Sequence, residues 1–262
     1  MQRLRRLIAR RSCRLAERCF VVEGVKVLSE AMGAGSDVEA VYVDPGSIDP
    51  ELEELLARSL DAGSRVFELD DGVLERVAGT VTPQPVLAVV RDVDIPLDEL
   101  RLRQADLVVV CADVRDPGNA GTVLRSAQAA GAGGVIFCEG SVDVYNPKTV
   151  RASAGAIFHI PVVVGGPVAN VLDTVSGWGL HRVGAAARRG RDYTEIDLGQ
   201  PTAVVIGNEA TGLPGAVEGS IDEWLSIPMA GRTESLNVGI AAALVCFEAA
   251  RQRRVAVARS NR

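Results

Sequence analysis

The sequence predicts an α/β protein in two parts: an N-terminal α/β sandwich and a C-terminal domain built on a mostly parallel sheet. Two observations support this fold class. Strand-like and helix-like runs alternate through residues 1–93, which is typical of α/β architectures. Beyond residue 106 the strand-like runs are short, continuous and rich in Val and Ile, as in a parallel sheet covered on both faces.

The N-terminal part, residues 1–93, alternates predicted strands with predicted helices. The runs at 25–35 and 50–63 have helical spacing and contain glycines near their ends that can cap a helix C-terminus. The predicted strands are FVVEG (20–24), VEAVYVD (38–44), SRVFELD (64–70) and PVLAVVRDV (85–93).

A charged stretch separates the two parts. Residues 94–106 contain Pro96 and no long apolar run, so we predict a linker there and assign the C-terminal domain to residues 107–262. The predicted strands of that domain are LVVVCADV (107–114), GGVIFCEG (133–140), RVGAAA (182–187), TAVVIGNE (202–209) and WLSIPMAG (224–231), and a helix closes it at 237–254.

Composition excludes several classes of protein. Hydrophobic residues make up 47% of the 262, which excludes a disordered chain. No apolar run approaches the roughly 18 residues of a membrane helix, and the N-terminus lacks the apolar core of a secretory signal. We therefore expect a cytoplasmic protein without a membrane partner. The five cysteines form no C-x-x-C pair and there are two histidines, so neither a metal site nor a histidine-centred triad is expected.

Positive charge is concentrated at the two ends of a chain whose formal net charge is −6. Residues 1–18 contain seven arginines and one acid, and residues 251–262 contain five arginines and no acid. Clustered charge matters more than net charge for phosphate binding, so both ends are candidate RNA-binding segments. Solvated helix faces are the other interpretation, and the charge pattern leaves both open.

Three loops that follow predicted strands combine glycines with small polar side chains: 116–119, 208–214 and 230–237. Ligands of open parallel sheets bind at the carboxyl ends of the strands, where glycine lets the backbone approach a ligand closely. The absence of G-x-G-x-x-G and of G-x-x-x-x-G-K-[ST] disfavours a phosphate-cradling loop and a nicotinamide-dependent oxidoreductase. A ligand held by backbone amides and carbonyls is predicted instead.

These loops and their flanks resemble the three motifs of the SpoU (TrmH-type) branch of the SPOUT RNA methyltransferases. The matching stretches are DVRDPGNAGTVLRSAQAAG (113–131), AVVIGNEATGLP (203–214) and LSIPMAGRTESLNVGIAAALVCFEA (225–249). The resemblance extends over residues 105–250, and NPKTVRASAGAIFHIPV (146–162) is similar to the segment between the first two motifs. Arg232 and Glu234 make the third motif more charged than is usual in the family.

The N-terminal part is similar, more weakly, to the substrate-binding domain related to ribosomal protein L30e that precedes the catalytic domain in ribosomal-RNA members. Arg11, Arg14 and the run FVVEG carry this resemblance. It implies that Arg11 and Arg14 contact RNA, and it favours ribosomal RNA over transfer RNA as the substrate.

The resemblance implies a trefoil-knotted catalytic domain, a homodimer and no metal. It also implies transfer of a methyl group from S-adenosyl-L-methionine to a ribose 2′-hydroxyl, most readily of 23S ribosomal RNA. The family holds its cofactor against backbone of the second and third motifs. Carried over, the cofactor-binding residues are Gly207, Gly212, Ile227, Met229 and Leu236.

The resemblance also implies which residues are catalytic. Arg125 would supply a cation to the hydroxyl as the hydroxyl becomes more alkoxide-like. Asn119 would orient Arg125. Both residues can face the cofactor if Asn119 caps or precedes the helix. Arg125 itself is a poor candidate for the base, because a guanidinium is essentially never deprotonated in proteins. An RNA phosphate clamped by Arg125 is the alternative proton acceptor. Ser235 and Asn237 are candidates for holding the ribose or the arginine.

Each of these assignments has a structural alternative. Arg125 can be a solvent-facing helix residue, and Asn119 and Ser235 are residue types that cap helix N-termini. Glu209 can act in catalysis or only bond neighbouring amides. Two other functions remain open: methylation of transfer RNA, and a non-catalytic RNA-binding or ribosome-assembly factor with the same fold.

Overall fold

A computed structural model describes residues 1–70, 72–78 and 84–260. The chain divides into two compact units. The first unit comprises Met1–Val93 and Tyr145–His159, and the second comprises Asp94–Val144 and Ile160–Arg262.

Helices and strands alternate through most of the described chain. The strands are β1 Cys19–Glu23, β2 Val38–Val43, β3 Arg65–Glu68, β4 Val86–Arg91, β5 Leu107–Cys111, β6 Gly134–Phe137, β7 Val162–Val164, β8 His181–Ala185, β9 Arg191–Asp192, β10 Thr202–Ile206 and β11 Glu223–Ser226. The α-helices are α1 Gln2–Ala9, α2 Arg11–Glu17, α3 Val25–Gly33, α4 Pro50–Asp61, α5 Val73–Ala78, α6 Leu97–Leu102, α7 Pro117–Ala129, α8 Pro147–Ser153, α9 Val168–Gly177 and α10 Val238–Ser260. Residues 261 and 262 of the basic tail lie outside the described residues.

The first unit is built on a sheet of order β1-β4-β2-β3. β4 pairs antiparallel with both β1 and β2, whereas β2 and β3 are parallel. Leu4 and Leu7 of α1 pack with Val21 and Leu87 on one face of this sheet. The four strands predicted in residues 1–93 are all present: β1, β2 and β4 are mostly buried, whereas β3 is largely exposed.

The segment Tyr145–His159 folds with the first unit although it is distant in sequence. Aromatic stacking explains this. The ring of Phe20 in β1 lies 4.5 Å from that of Tyr145 and 6.1 Å from that of Phe158, measured between centroids. Stacked rings add to the free energy of apolar burial. Because stacking joins residues far apart in the chain, the order of predicted elements gives no sign of it.

The second unit is built on a sheet of order β7-β6-β5-β10-β8-β11-β9, and the pairings between its described strands are all parallel. β5, β6 and β10 are buried along their whole length. The prediction of a mostly parallel sheet is confirmed. Parallel order also brings the loops after β5, β8, β10 and β11 to one edge.

Residues 94–106, predicted to be a linker, form part of the second unit. They include α6, whose Leu100 is fully buried in the core with Val108 and Ile136. The backbone N–H of Ile95 also donates to the carbonyl of Val162, at 2.8 Å. Asp98 and Arg101 are exposed on α6 while Leu100 between them is buried, which is why the composition of this stretch suggested a linker.

No helix in residues 1–70, 72–78 or 84–260 combines the length and apolar character that crossing a membrane requires. In the same residues, no cluster of His, Cys, Asp and Glu side chains is placed to hold a metal ion.

Candidate active site

The loop after β5 leads directly into α7. Asp116 caps this helix, since its carboxylate accepts a hydrogen bond from the backbone N–H of Asn119 at 2.8 Å. Pro117 occupies the first helical position, where its missing N–H costs nothing. Asn119 is therefore inside the first turn of the helix and not its cap. Its side chain is 8% exposed and available for tertiary hydrogen bonds.

The amide of Asn119 joins the three loops at the sheet edge. Its Nδ2 donates to Oε1 of Glu209, in the loop after β10, at 2.9 Å. Its Oδ1 accepts from Nδ2 of Asn237, immediately before α10, at 2.7 Å. Both hydrogen-bonding ends of one buried side chain are thus satisfied by the other two loops. We refer to Asn119, Glu209 and Asn237 below as the three-loop network.

Asn237 also caps α10. Its Oδ1 accepts from the backbone N–H groups of Gly239, at 2.9 Å, and Ile240, at 3.3 Å. Ser235 lies outside the first turn of α10, with an exposed side chain. The capping roles suggested for Asn119 and Ser235 are therefore filled by Asp116 and Asn237.

The loop after β10 is a tight turn. Asn208 and Gly212 exchange both backbone hydrogen bonds, at 2.9 and 3.0 Å, and Gly212 has φ of +71°. Oδ1 of Asn208 accepts from the N–H groups of Ala210 and Thr211. A Cβ at Gly207 would lie 2.3 Å from the carbonyl carbon of Gly212. The turn closes this tightly only because Gly207 has no side chain.

A cavity of about 340 Å³ opens beside this turn, a volume typical of small-molecule sites. All five residues predicted to bind the cofactor line it, and so do Glu209 and Ser235. Apolar side chains and glycine backbone form most of its wall. The other lining residues are Ala185, Ala186, Ala187, Arg188, Ile206, Asn208, Ala210, Leu225, Glu234, Val238 and Ala241.

One part of the cavity wall, Ala185 to Arg188, is not among the site residues predicted from the sequence. Ala185 ends β8, one of the predicted strands, and Ala186 to Arg188 follow it, so their position at a fourth strand end was the available signal. Arg188 Nη2 forms an ion pair with Oε2 of Glu234 at 2.9 Å. The pair joins the loop after β8 to the loop before α10.

Charged groups on the loop after β5 are also paired. Nε of Arg115 donates to Oδ1 of Asp113 at 2.7 Å. This hydrogen bond raises the pKa of the Arg115 guanidinium above its ordinary value. Nδ2 of Asn208 donates to the carbonyl of Asp113 at 3.2 Å, so this loop is tied to the turn after β10.

Arg125 does not line the cavity of its own chain. Its side chain is exposed on α7 and does not line the cavity wall. Six positions of α-helix turn through about 240°, so Arg125 and Asn119 face different directions. The condition under which both would face the cofactor is not met, because Asn119 lies inside the helix. In the described residues no hydrogen bond or ion pair holds Arg125, which leaves its guanidinium open to solvent.

The two predicted RNA-binding arginines of the first unit differ in environment. Arg11 is exposed at the start of α2. Arg14 is 5% exposed, and its Nη1 donates to the backbone carbonyls of Leu7, at 2.5 Å, and Ile8, at 3.0 Å. The Arg14 guanidinium is therefore committed to holding α2 against α1, which leaves Arg11 as the exposed member of the pair.

Comparison with known families identifies the fold that carries this site. Residues 106–247 match the SpoU rRNA Methylase family, and residues 1–88 match the MRM3-like substrate binding domain. The chain belongs to the SpoU rRNA Methylase family. The family predicted from the three motifs is confirmed, as is a substrate-binding domain at the N-terminus.

Individual relatives cover nearly the whole chain. It is 32% identical to the 23S rRNA (guanosine(2553)-2'-O)-methyltransferase RlmP of Bacillus subtilis, over 87% of each protein. It is 34% identical to a 23S rRNA (uridine(2479)-2'-O)-methyltransferase of Streptomyces viridochromogenes, over 96% of this chain and 89% of the relative. The crystal structure of the SpoU methyltransferase AviRb from Streptomyces viridochromogenes, in complex with the cofactor AdoMet, matches with a TM-score of 0.88. That match has 32% sequence identity and covers 97% of both chains.

Proposed function

We propose that this chain transfers the methyl group of S-adenosyl-L-methionine to a ribose 2′-hydroxyl of 23S ribosomal RNA. The observation that carries the proposal is the three-loop network, which fastens the loops after β5 and β10 and before α10 at the mouth of one cavity. Both curated relatives described above carry the name of a 23S rRNA 2′-O-methyltransferase.

The cavity fits this cofactor. Gly207 and Gly212 bring backbone rather than side chains to the cavity wall, and Ile227, Met229 and Leu236 give apolar surface for a purine ring. Backbone N–H and carbonyl groups of such a cradle can recognise an adenine edge without charged side chains. When bound, the cofactor supplies an electrophilic methyl group on a sulfonium centre.

The three-loop network positions the walls of the site. Asn119 holds the Glu209 carboxylate at the cavity, and Asn237 holds Asn119 while it caps α10. Ser235, exposed on the same wall, offers a hydroxyl to the incoming ribose. Holding a nucleophile in line with its electrophile supplies much of the rate of a transfer reaction.

Arg125 supplies a permanent positive charge to the proposed reaction. Its guanidinium stays protonated, so it does not serve as the base. An exposed arginine with planar, forked donors suits an RNA phosphate, and binding the phosphate next to the target ribose would hold the 2′-hydroxyl in place. The same positive charge would stabilise the oxygen as its proton leaves.

A homodimer is part of the proposal. The first three turns of α10 include three exposed large apolar side chains, Ile240 (49%), Leu244 (38%) and Phe247 (47%). Their spacing along the helix puts them on one stripe, and such stripes mark interaction surfaces. A second copy of this chain is the proposed partner. The trefoil knot and the cytoplasmic location are likewise proposed, the first from the family resemblance and the second from the ribosomal substrate.

Transfer of tritium from labelled S-adenosyl-L-methionine to separated ribosomal and transfer RNA fractions tests the function. The labelled RNA is then digested and its methylated nucleosides are identified. We expect label on a ribose 2′-oxygen of 23S ribosomal RNA. Label on transfer RNA alone would show that transfer RNA is the substrate instead of 23S ribosomal RNA. Cofactor binding without label on any RNA would favour the non-catalytic RNA-binding factor.

A further inference from the structure

The cavity contains one pair of opposite charges that the proposed transfer does not use. Three of the residues that line it have charged side chains: Arg188, Glu209 and Glu234. Glu209 accepts the hydrogen bond from Asn119. The remaining two bind each other across the cavity at 2.9 Å, with side chains that are 73% and 79% exposed.

An exposed ion pair of this kind is weak and is readily exchanged for another partner. Long, solvated side chains gain little from pairing because water screens them and their rotamer freedom is lost. Both partners also extend from loops, one after β8 and one before α10. A ligand that carries both charges can therefore replace each half of the pair with its own group of opposite sign.

The methionine end of the proposed cofactor is such a ligand, since it carries an α-carboxylate and an α-ammonium group. We propose that Arg188 binds the α-carboxylate and Glu234 binds the α-ammonium of S-adenosyl-L-methionine. The inference rests on the proposed function. It gives a role to the extra charge of the loop at 230–237, and it divides the cavity into an apolar part for the nucleoside and a charged end for the amino acid.

The neighbouring arginine provides a matched control. The Arg189 guanidinium lies 3.5 Å from the ring centroid of Trp224 and forms an ion pair with Glu218 at 2.9 Å. Arg189 does not line the cavity. A change at Arg189 therefore removes the same charge from the same loop without removing a cavity contact.

The experiment measures binding of three ligands to the full chain by isothermal titration calorimetry. S-adenosyl-L-methionine has both charged groups, its decarboxylated analogue keeps only the ammonium, and 5′-methylthioadenosine lacks both. We expect Arg188→Gln to weaken S-adenosyl-L-methionine about tenfold, the loss of one charge-assisted hydrogen bond, and to leave the analogue unchanged. Glu234→Gln should weaken both of these ligands and spare 5′-methylthioadenosine. Arg189→Gln should change none of them.

Two results would overturn the inference. If Arg188→Gln weakens all three ligands equally, the residue supports the wall and binds no carboxylate. If it weakens none, Arg188 does not contact the cofactor. Unchanged affinity for 5′-methylthioadenosine shows that a variant still has a folded cavity. A wild-type chain that binds none of the three ligands would overturn the proposed function itself, which separates that failure from the other two.

Discussion

Asn119 donates a hydrogen bond from Nδ2 to Oε1 of Glu209, at 2.9 Å, across 90 residues of sequence. The same amide accepts from Asn237, 118 residues away, at 2.7 Å. One buried side chain thus fixes the relative position of three loops, and both of its hydrogen-bonding ends are used. Removing it leaves two partners without their hydrogen bonds at once.

Asn119→Ala should therefore reduce both stability and activity. We expect a loss of about 1–3 kcal/mol in the free energy of unfolding, because the variant loses two hydrogen bonds, one of them to the Glu209 carboxylate, with methyl transfer falling more than tenfold. Urea unfolding and the tritium assay measure the two quantities. Gln128→Ala, at an exposed position of the same helix, is the control. An Asn119→Ala variant with wild-type activity would mean that the network is not needed for transfer.

Arg125→Ala should abolish transfer and leave cofactor affinity nearly unchanged. Its side chain lies outside the cavity wall, so the cofactor keeps its contacts. The RNA, in contrast, loses its contact with the Arg125 guanidinium. Calorimetry with S-adenosyl-L-methionine and the tritium assay, run on the same preparation, separate the two effects. Equal loss of binding and transfer would show that Arg125 supports the fold of the site.

Gly207→Ala should weaken cofactor binding by more than tenfold. The new Cβ would lie 2.3 Å from the carbonyl carbon of Gly212, so the turn after β10 has to shift and the cavity wall that it forms changes shape. Gly215→Ala is the matched control, because a Cβ there meets no atom within 4 Å. Wild-type affinity in the Gly207 variant would show that the turn adapts without disturbing the cavity.

Arg11 and Arg14 should respond differently to substitution. Arg11→Glu is expected to weaken binding to a 23S ribosomal RNA fragment and to reduce the slope of log affinity against log salt by about one. Arg14→Met should mainly lower the free energy of unfolding, since its guanidinium bonds the carbonyls of Leu7 and Ile8. Filter binding over a salt series and urea unfolding measure these changes. An unaltered salt slope in Arg11→Glu would place the RNA surface elsewhere.

Phe247→Glu should shift the chain from dimer to monomer. The substitution puts a charge into the apolar stripe formed with Ile240 and Leu244, where burial against a second copy would require its desolvation. Sedimentation velocity measures the change in mass. Leu102→Glu, at an 82% exposed position on α6, is the control and should leave the mass unchanged. A wild-type chain that sediments as a monomer would contradict the prediction.

The site was predicted best where function depends on local sequence. Loops with glycine and small polar residues follow the strands, so Gly207, Glu209 and Gly212 were predicted at the site and line the cavity. Arg188 follows a strand as well, but its part in the site depends on the loop before α10 folding across it. The strand end is visible in the sequence, but the ion pair between Arg188 and Glu234 is not.

Helix caps and buried charges were harder to predict. Several polar residues near each helix start are suitable caps, and only the path of the backbone selects Asp116 and Asn237. In the sequence, nothing distinguishes Arg14 from the other arginines of the basic segment at residues 1–18. Its burial became visible only when α1 and α2 packed together, because the hydrogen bonds to Leu7 and Ile8 depend on that packing.

The sequence by itself determined the α/β class, the positions of most strands, the family and the loops that form the site. Hydrophobic periodicity and turn residues act over a few positions, so a single chain displays them directly. Tertiary structure decided that residues 94–106 join a core, that Tyr145–His159 folds with the first unit, and that one asparagine links three loops. These outcomes arise from contacts between residues far apart in sequence, and such contacts exist only after the chain has packed.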